Sequence, residues 1–283
     1  MRKFLDRLFP VITALCALSA CSVLAAILTA ILVRGYSAIS LTFFTEQIRL
    51  VGAEGGIFYN LVGTGILVLT ALIVSCPIAI GLALVQSIYL KHRPKSRRTL
   101  TLLLYTLNGI PSILFGIFGL IVFVLLFGWG KSWLSGGILL GFMIIPTVAI
   151  ALIESIESLP SRYLEAAAGL GLSESQVIWS VVLPQTRAGL FTGSLLGLAR
   201  AAGETAPIMF TATIFAGATF PAGIKQSPVL SLPYHIFILA QDSFDRAVGA
   251  KLWGAALVLI LVVLILSLIA LPMRLRIHAE ANS

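Results

Sequence analysis

The sequence is poor in charge, and that deficiency decides its class. Of 283 residues only 11% are Asp, Glu, Lys or Arg, against 59% hydrophobic residues, and the mean hydropathy is +1.05. Soluble domains carry roughly 25% charged residues. A water-covered surface cannot be assembled from so few, so a soluble enzyme is excluded and the bilayer is the solvent. Cysteine and histidine are also scarce. Cys16, Cys21 and Cys76 fall inside apolar runs at no metal-ligand spacing, and His92, His235 and His278 are scattered, so neither a metal site nor a disulfide is expected. Ser, His and carboxylates do not gather into a nucleophile and base, and no catalytic residue is expected. Gly130-Lys131-Ser132 imitates the end of a phosphate-binding loop, but Leu125 stands where its first glycine should be, so this chain is expected to hold no ATP and no other cofactor.

What the sequence does have is charge-free length. Val11 to Val33 suffices to cross a hydrocarbon core of about 30 Å as a helix. Leu18-Ser19-Ala20-Cys21 looks like a lipoprotein cleavage site, yet the apolar run continues past it, so a retained helix is expected. Further spans are expected at about 61–89, 103–127, 134–153, 188–214 and 252–271. The reading is an all-α membrane protein of six transmembrane helices. Residues 1–58 make an N-terminal helix and outer loop, and 59–283 a transmembrane domain with an inner loop over 154–187. Twelve basic residues lie on the side of the termini and of the Lys91 to Arg98 run, against six on the other. The positive-inside rule therefore makes both termini and that run cytoplasmic, and the run is read as a topology signal rather than a nucleic-acid or anionic-lipid site.

Two stretches carry more than topology. In the inner loop, Pro160-Ser161 starts a short helix that ends at Gly169 or Gly171, and Ser173 starts another through a capping box with Gln176. The small surface at Ala166 to Ala168 suits either a docking partner or a hairpin lying on lipid. The second stretch is Ala199 to Pro207, where Arg200 and Glu204 lie inside an expected span. Each charge costs roughly 2.5–3.5 kcal/mol at the bilayer centre. Four apart, they share a helix face, so they either form an intrahelical ion pair or line a water-filled path. In a path, the Arg200 fork suits a tetrahedral oxyanion, while the Glu204 carboxylate accepts a hydrogen bond only from an anion that keeps a proton, favouring phosphate over sulfate. Thr205 adds a hydroxyl beside the pair. Gly203 and Pro207 let the helix bend there, as Gly109 and Pro111 do in the third span, either as a kink or as a broken helix lining the path. Gly189, Gly193 and Gly197, like Gly137 and Gly141, invite close helix approach within the subunit or with another.

Spacing then points to a family. Glu165-Ala166-Ala167, three residues, Gly171, nine residues, Val181, one residue and Leu183-Pro184 resembles the EAA signature of ABC importer permeases, with Val181 in place of the usual isoleucine. Arg200 to Pro207 followed by Ile208-Met209-Phe210-Thr211-Ala212 is similar to the motif of phosphate importer permeases of the PstA type, as is Gly109 to Gly119 to a second motif of that family. The resemblance implies a type I ABC importer permease in a bacterial cytoplasmic (inner) membrane. It implies that Glu165, Ala166, Ala167, Gly171, Leu183 and Pro184 form the coupling element to an ATPase, and that Arg200 and Glu204 serve phosphate. It also implies a second homologous permease subunit, a cytoplasmic ATPase dimer that carries the ATP and Mg²⁺, and an extracytoplasmic phosphate-binding protein. A permease for phosphonate, molybdate or sulfate stays open at this point, as does an ATPase-independent channel or membrane scaffold.

Overall fold

A computed structural model describes residues 2–49, 54–217, 220–241 and 246–281. The basic side chains expected to orient the two ends, Arg2, Lys3, Arg7, Arg274 and Arg276, lie outside the residues whose side chains it describes. The described chain is helical: α1 (Arg2–Gly35), α2 (Leu41–Thr45), α3 (Phe58–Leu84), α4 (Pro94–Gly109), α5 (Ser112–Gly119), α6 (Trp133–Glu157), α7 (Ser161–Gly169), α8 (Glu174–Val177), α9 (Leu183–Gly203), α10 (Ala206–Thr211), α11 (Leu232–Gln241) and α12 (Arg246–Ala281). Wider π-type turns prolong α3 to Tyr89 and α5 to Leu126, and join α8 to α9.

Among the described residues, four stretches are long and apolar enough to cross a membrane: Phe9–Ala38, Phe58–Tyr89, Trp133–Glu157 and Val248–Ile269. A fifth comes in two pieces. The helix expected over 103–127 begins earlier, at Pro94, stops at Gly109 and resumes at Ser112, the two pieces bent by 89°. The cause is local: Pro111 has no N–H to donate and pushes Ile110 into extended backbone at ψ 130°. The helix expected over 188–214 is not continuous either. It starts at Leu183 and ends at Gly203, Glu204 turns extended at ψ 132°, and helix restarts as α10 with Pro207 in its first turn, where a missing N–H costs nothing. This segment, which carries Arg187 and Arg200, is not among the five.

α6 is the hub, with α3 and α9 packed on it and α12 laid on α9. In lipid, helix association rests on close packing more than on apolar burial. The glycines supply that closeness and settle their own facing. A Cβ on Gly189 would sit 2.2 Å from Ser155 Cβ, one on Gly193 2.8 Å from Ala151 Cβ, and one on Gly197 3.1 Å from Val148 Cγ2, so the stripe on α9 packs on α6 inside this chain. Gly137 and Gly141 of α6 likewise face Thr70 and Val74 of α3. By contrast α1 rests on α12, with the Arg34 guanidinium 5.0 Å from the Trp253 ring centre, and stays exposed along nearly all of its described length.

Candidate functional site

The two helix breaks meet. Asn108, at the end of α4, accepts a hydrogen bond from Arg200 Nη1, at the end of α9, and the same nitrogen reaches Thr147 Oγ1 on α6 at 3.5 Å. Arg200 Nε lies 3.9 Å from Glu204 Oε1. The pair that the four-residue spacing allowed is therefore present, but not along one helix face. Glu204 has left the helix, the contact is long, and the guanidinium is held mainly across to α4 and α6. Ser112, at the start of α5, lies close to Glu204. The Arg200 and Glu204 side chains stay 31% and 18% exposed. Arg200 Nη2 makes no hydrogen bond among the described residues, so one donor edge of the guanidinium is unused there. Thr205 is half-buried at the restart, and its carbonyl accepts the Met209 N–H at 3.1 Å.

Beyond the breaks, α5 and α10 run side by side in the same direction. A Cβ on Gly116 would lie 2.8 Å from the Ala206 carbonyl, and one on Gly119 2.8 Å from Thr211 Cγ2. Gly109 to Gly119 and Arg200 to Ala212, 91 residues apart at their starts, are thus one structural unit. Charges flank α10 in the order its dipole favours, Glu204 before its first turn and Lys131 at its end. The Lys131 ammonium donates to the carbonyls of Met209 at 2.9 Å and Thr213 at 3.3 Å. Lys131, set aside with its neighbours as a false phosphate loop, therefore braces the end of α10.

The inner loop forms a second element. Gly171 turns left-handed at φ +69° between α7 and α8, and both arms of the capping box are made, Ser173 N to Gln176 Oε1 at 2.9 Å and Gln176 N to Ser173 Oγ at 3.4 Å. Ala167 packs inward while Glu165, Ala166 and Gly171 face out, and Leu183 and Pro184 open α9. Leu170 and Trp179 stand 79% and 71% exposed beside them, a large apolar surface on a polar loop.

Comparison with known proteins decides what these elements belong to. Residues 75–276 match the model of the binding-protein-dependent transport system inner membrane component. The chain belongs to that family. It is a permease subunit of an ABC importer, an inner-membrane transport protein and not a catalytic one. Among its relatives, a probable phosphate transport system permease protein PstA of Methanocaldococcus jannaschii is 32% identical over 266 residues, covering 92% of this chain and 90% of that one. The phosphate transport system permease protein PstA 2 of Mycobacterium bovis is 33% identical over 211 residues, 74% of this chain and 68% of that one. An inward-facing structure of the MetNI methionine ABC transporter superposes with a TM-score of 0.54 over 80% of this chain and 94% of that one at 15% identity, which bears on the fold alone.

Sequence reading picked out Arg200, Glu204, Thr205, Gly203, Pro207 and Pro111, all of which lie at this junction, and missed Asn108, Thr147, Ser112 and Lys131. Asn108 had a signal: a lone amide in the charge-free run 99–130, directly before Gly109. Thr147 and Ser112 had none, since a hydroxyl in a membrane helix ordinarily bonds its own backbone.

Proposed function

We propose that the chain is one of two permease subunits of an ATP-driven importer of inorganic phosphate and forms half of an alternating-access path. The observation that carries this is Arg200: a permanent cation at a double helix break, braced by neutral Asn108 and Thr147 and left with an unused, partly exposed donor edge. A cation so placed within a membrane protein calls for an anion. Its long contact to Glu204 leaves the carboxylate able to accept a hydrogen bond from the proton that phosphate keeps and sulfate lacks. Thr205 adds a hydroxyl, and the breaks at Gly203, Pro207 and Pro111 let the two helix pairs shift. The relatives named as phosphate permeases support the same substrate.

The inner loop is the coupling element in this reading. Glu165, Ala166, Ala167 and Gly171 dock on a cytoplasmic ABC ATPase dimer that carries the ATP and Mg²⁺, with Leu170 and Trp179 entering its surface, while Leu183 and Pro184 pass the movement into α9. Both termini and the Lys91 to Arg98 run share that cytoplasmic side. The exposed apolar side chains Leu107, Ile113, Leu114, Ile117 and Phe118 beside the junction meet a second homologous permease subunit, which closes the path. An extracytoplasmic phosphate-binding protein delivers the substrate to the outer end. The test is uptake of radiolabelled phosphate by vesicles holding the whole complex. Uptake that requires ATP and is competed by arsenate but not by sulfate, molybdate or phosphonate supports the reading. Competition by those anions instead points to another oxyanion, and uptake that survives a block of ATP hydrolysis points to a channel.

A further inference from the structure

Between the end of α3, the basic start of α4 and the last two turns of α6 lies a cleft of about 460 Å³, separate from the junction at Arg200. Its walls change character along their length, and they do so together. Along α4, Arg97, Arg98 and Thr101 precede Leu104 and Tyr105; along α6, which runs the other way, Ile150 and Ile153 precede Glu154 and Glu157. At 1.5 Å per residue, charge passes into apolar surface within roughly 10–12 Å on both walls. Lys91 adds a third cation at the charged end. Arg97 is engaged by Glu157, whereas Lys91 and Arg98 have no acidic partner among the described residues. Gln86 also lines the cleft, only 5% exposed. It donates Nε2 to Thr101 Oγ1 at 3.1 Å, and the Thr101 hydrogen is spent on the Arg97 carbonyl at 3.0 Å. That fixes the amide's orientation and leaves Gln86 Oε1 buried with no donor.

We propose that this cleft binds an anionic glycerophospholipid with a hydroxyl-bearing headgroup. The phosphodiester sits between Lys91 and Arg98, the headgroup hydroxyls turn to Glu154, and the upper acyl chain follows Leu104, Ile150 and Ile153. The excess of cations over acids selects an anionic lipid, and a basic pocket between membrane helices near the surface is where such headgroups bind. The gradation from charge to apolar surface separates a lipid from a free anion, which would use the charged end alone. The proposal does not depend on what Arg200 transports.

Native mass spectrometry of the whole purified complex in detergent tests it, with phosphatidylglycerol and phosphatidylcholine of identical chains as probes. Wild type is expected to retain at least one more phosphatidylglycerol than phosphatidylcholine. Lys91→Gln with Arg98→Gln is expected to lower that preference at least tenfold, and Arg98→Lys to keep most of it. Should the double variant fail to assemble, Arg98→Gln alone, at an exposed position, gives the same reading with a smaller loss. Equal retention of the two lipids, or a preference unchanged by these substitutions, overturns the proposal. Soluble glycerol phosphate is expected not to displace the lipid; displacement would show that the cleft reads a free phosphate ester, and overturns it as well.

Discussion

Asn108 on α4 accepts a hydrogen bond from the guanidinium of Arg200 on α9, 92 residues further along the chain, and so joins the two helices where both break. A hydrogen bond to a charged group is worth about 1.5–3 kcal/mol, enough to hold the fork in one orientation. Asn108→Ala is expected to leave the complex assembled and to lower phosphate uptake on the order of tenfold. Asn108→Asp is expected to lower it further, because a full negative charge would occupy the cation and repel the anion. Initial uptake rates in vesicles, normalised to assembled complex, check both.

The same helix carries the Arg97–Glu157 ion pair near its other end, and Glu157 lies four residues before α7. From Arg97 to Asn108 α4 is a rod of roughly 16 Å. It links the inner loop to the cation. Both partners are about two-fifths exposed, and an exposed pair stabilises a fold by at most about 1 kcal/mol. Arg97→Glu is therefore expected to leave the melting temperature nearly unchanged while reducing the phosphate taken up per ATP hydrolysed, and Arg97→Glu with Glu157→Arg to recover much of it. Parallel assays of uptake and hydrolysis on one preparation separate coupling from folding.

His235 on α11 is buried, and burial, reinforced by the Lys251 charge, pushes its pKa down from 6.5 to about 4. The folded chain holds the neutral imidazole. Above pH 6.5 folded and unfolded chains bind the same proton count there; as pH falls toward 4 only the unfolded chain gains a proton, so stability is lost across that window. A fall from 6.5 to about 4 corresponds to roughly 3 kcal/mol. Thermal melting in detergent between pH 7 and 4.5 should show this loss, and His235→Gln should flatten the slope.

Glycines that look alike in sequence are expected to respond differently. Gly189→Val drives a side chain into Ser155, and overpacking of this kind costs about 1–3 kcal/mol or more. Gly65 and Gly81 on α3 have nothing within 4 Å of an added Cβ, so Gly65→Ala and Gly81→Ala should be neutral or stabilising by about 0.5–1 kcal/mol. Melting temperatures of the purified variants give the comparison.

Local chemistry was readable in the sequence. The turn at Gly171 and the Ser173 capping box depend on residues within a few positions of one another, and both have the geometry their spacing implied. The broken helices were half readable: Pro111 and Pro207 marked the places, but whether a proline bends a membrane helix or ends it depends on what takes up the freed backbone groups. Periodicity gave the glycine stripe on α9 a face without a partner, and only the packing of α6 supplied one. The Arg200 partners were the least readable. Two charges four apart suggested a pair, which is present at 3.9 Å, but the cation is held mainly by neutral groups on helices far away in sequence; the lone Asn108 amide left a trace, and the Thr147 hydroxyl left none.

The central claim is that Arg200 serves the transported anion. Radiolabelled phosphate uptake by vesicles holding equal amounts of assembled complex tests it most directly, comparing wild type, Arg200→Lys and Arg200→Gln. The account predicts ATP-dependent uptake by wild type, a partial rate with Arg200→Lys, which keeps the charge but loses the planar fork, and no uptake with Arg200→Gln. Normal uptake by Arg200→Gln would contradict it and leave Arg200 a structural tie between α4, α6 and α9.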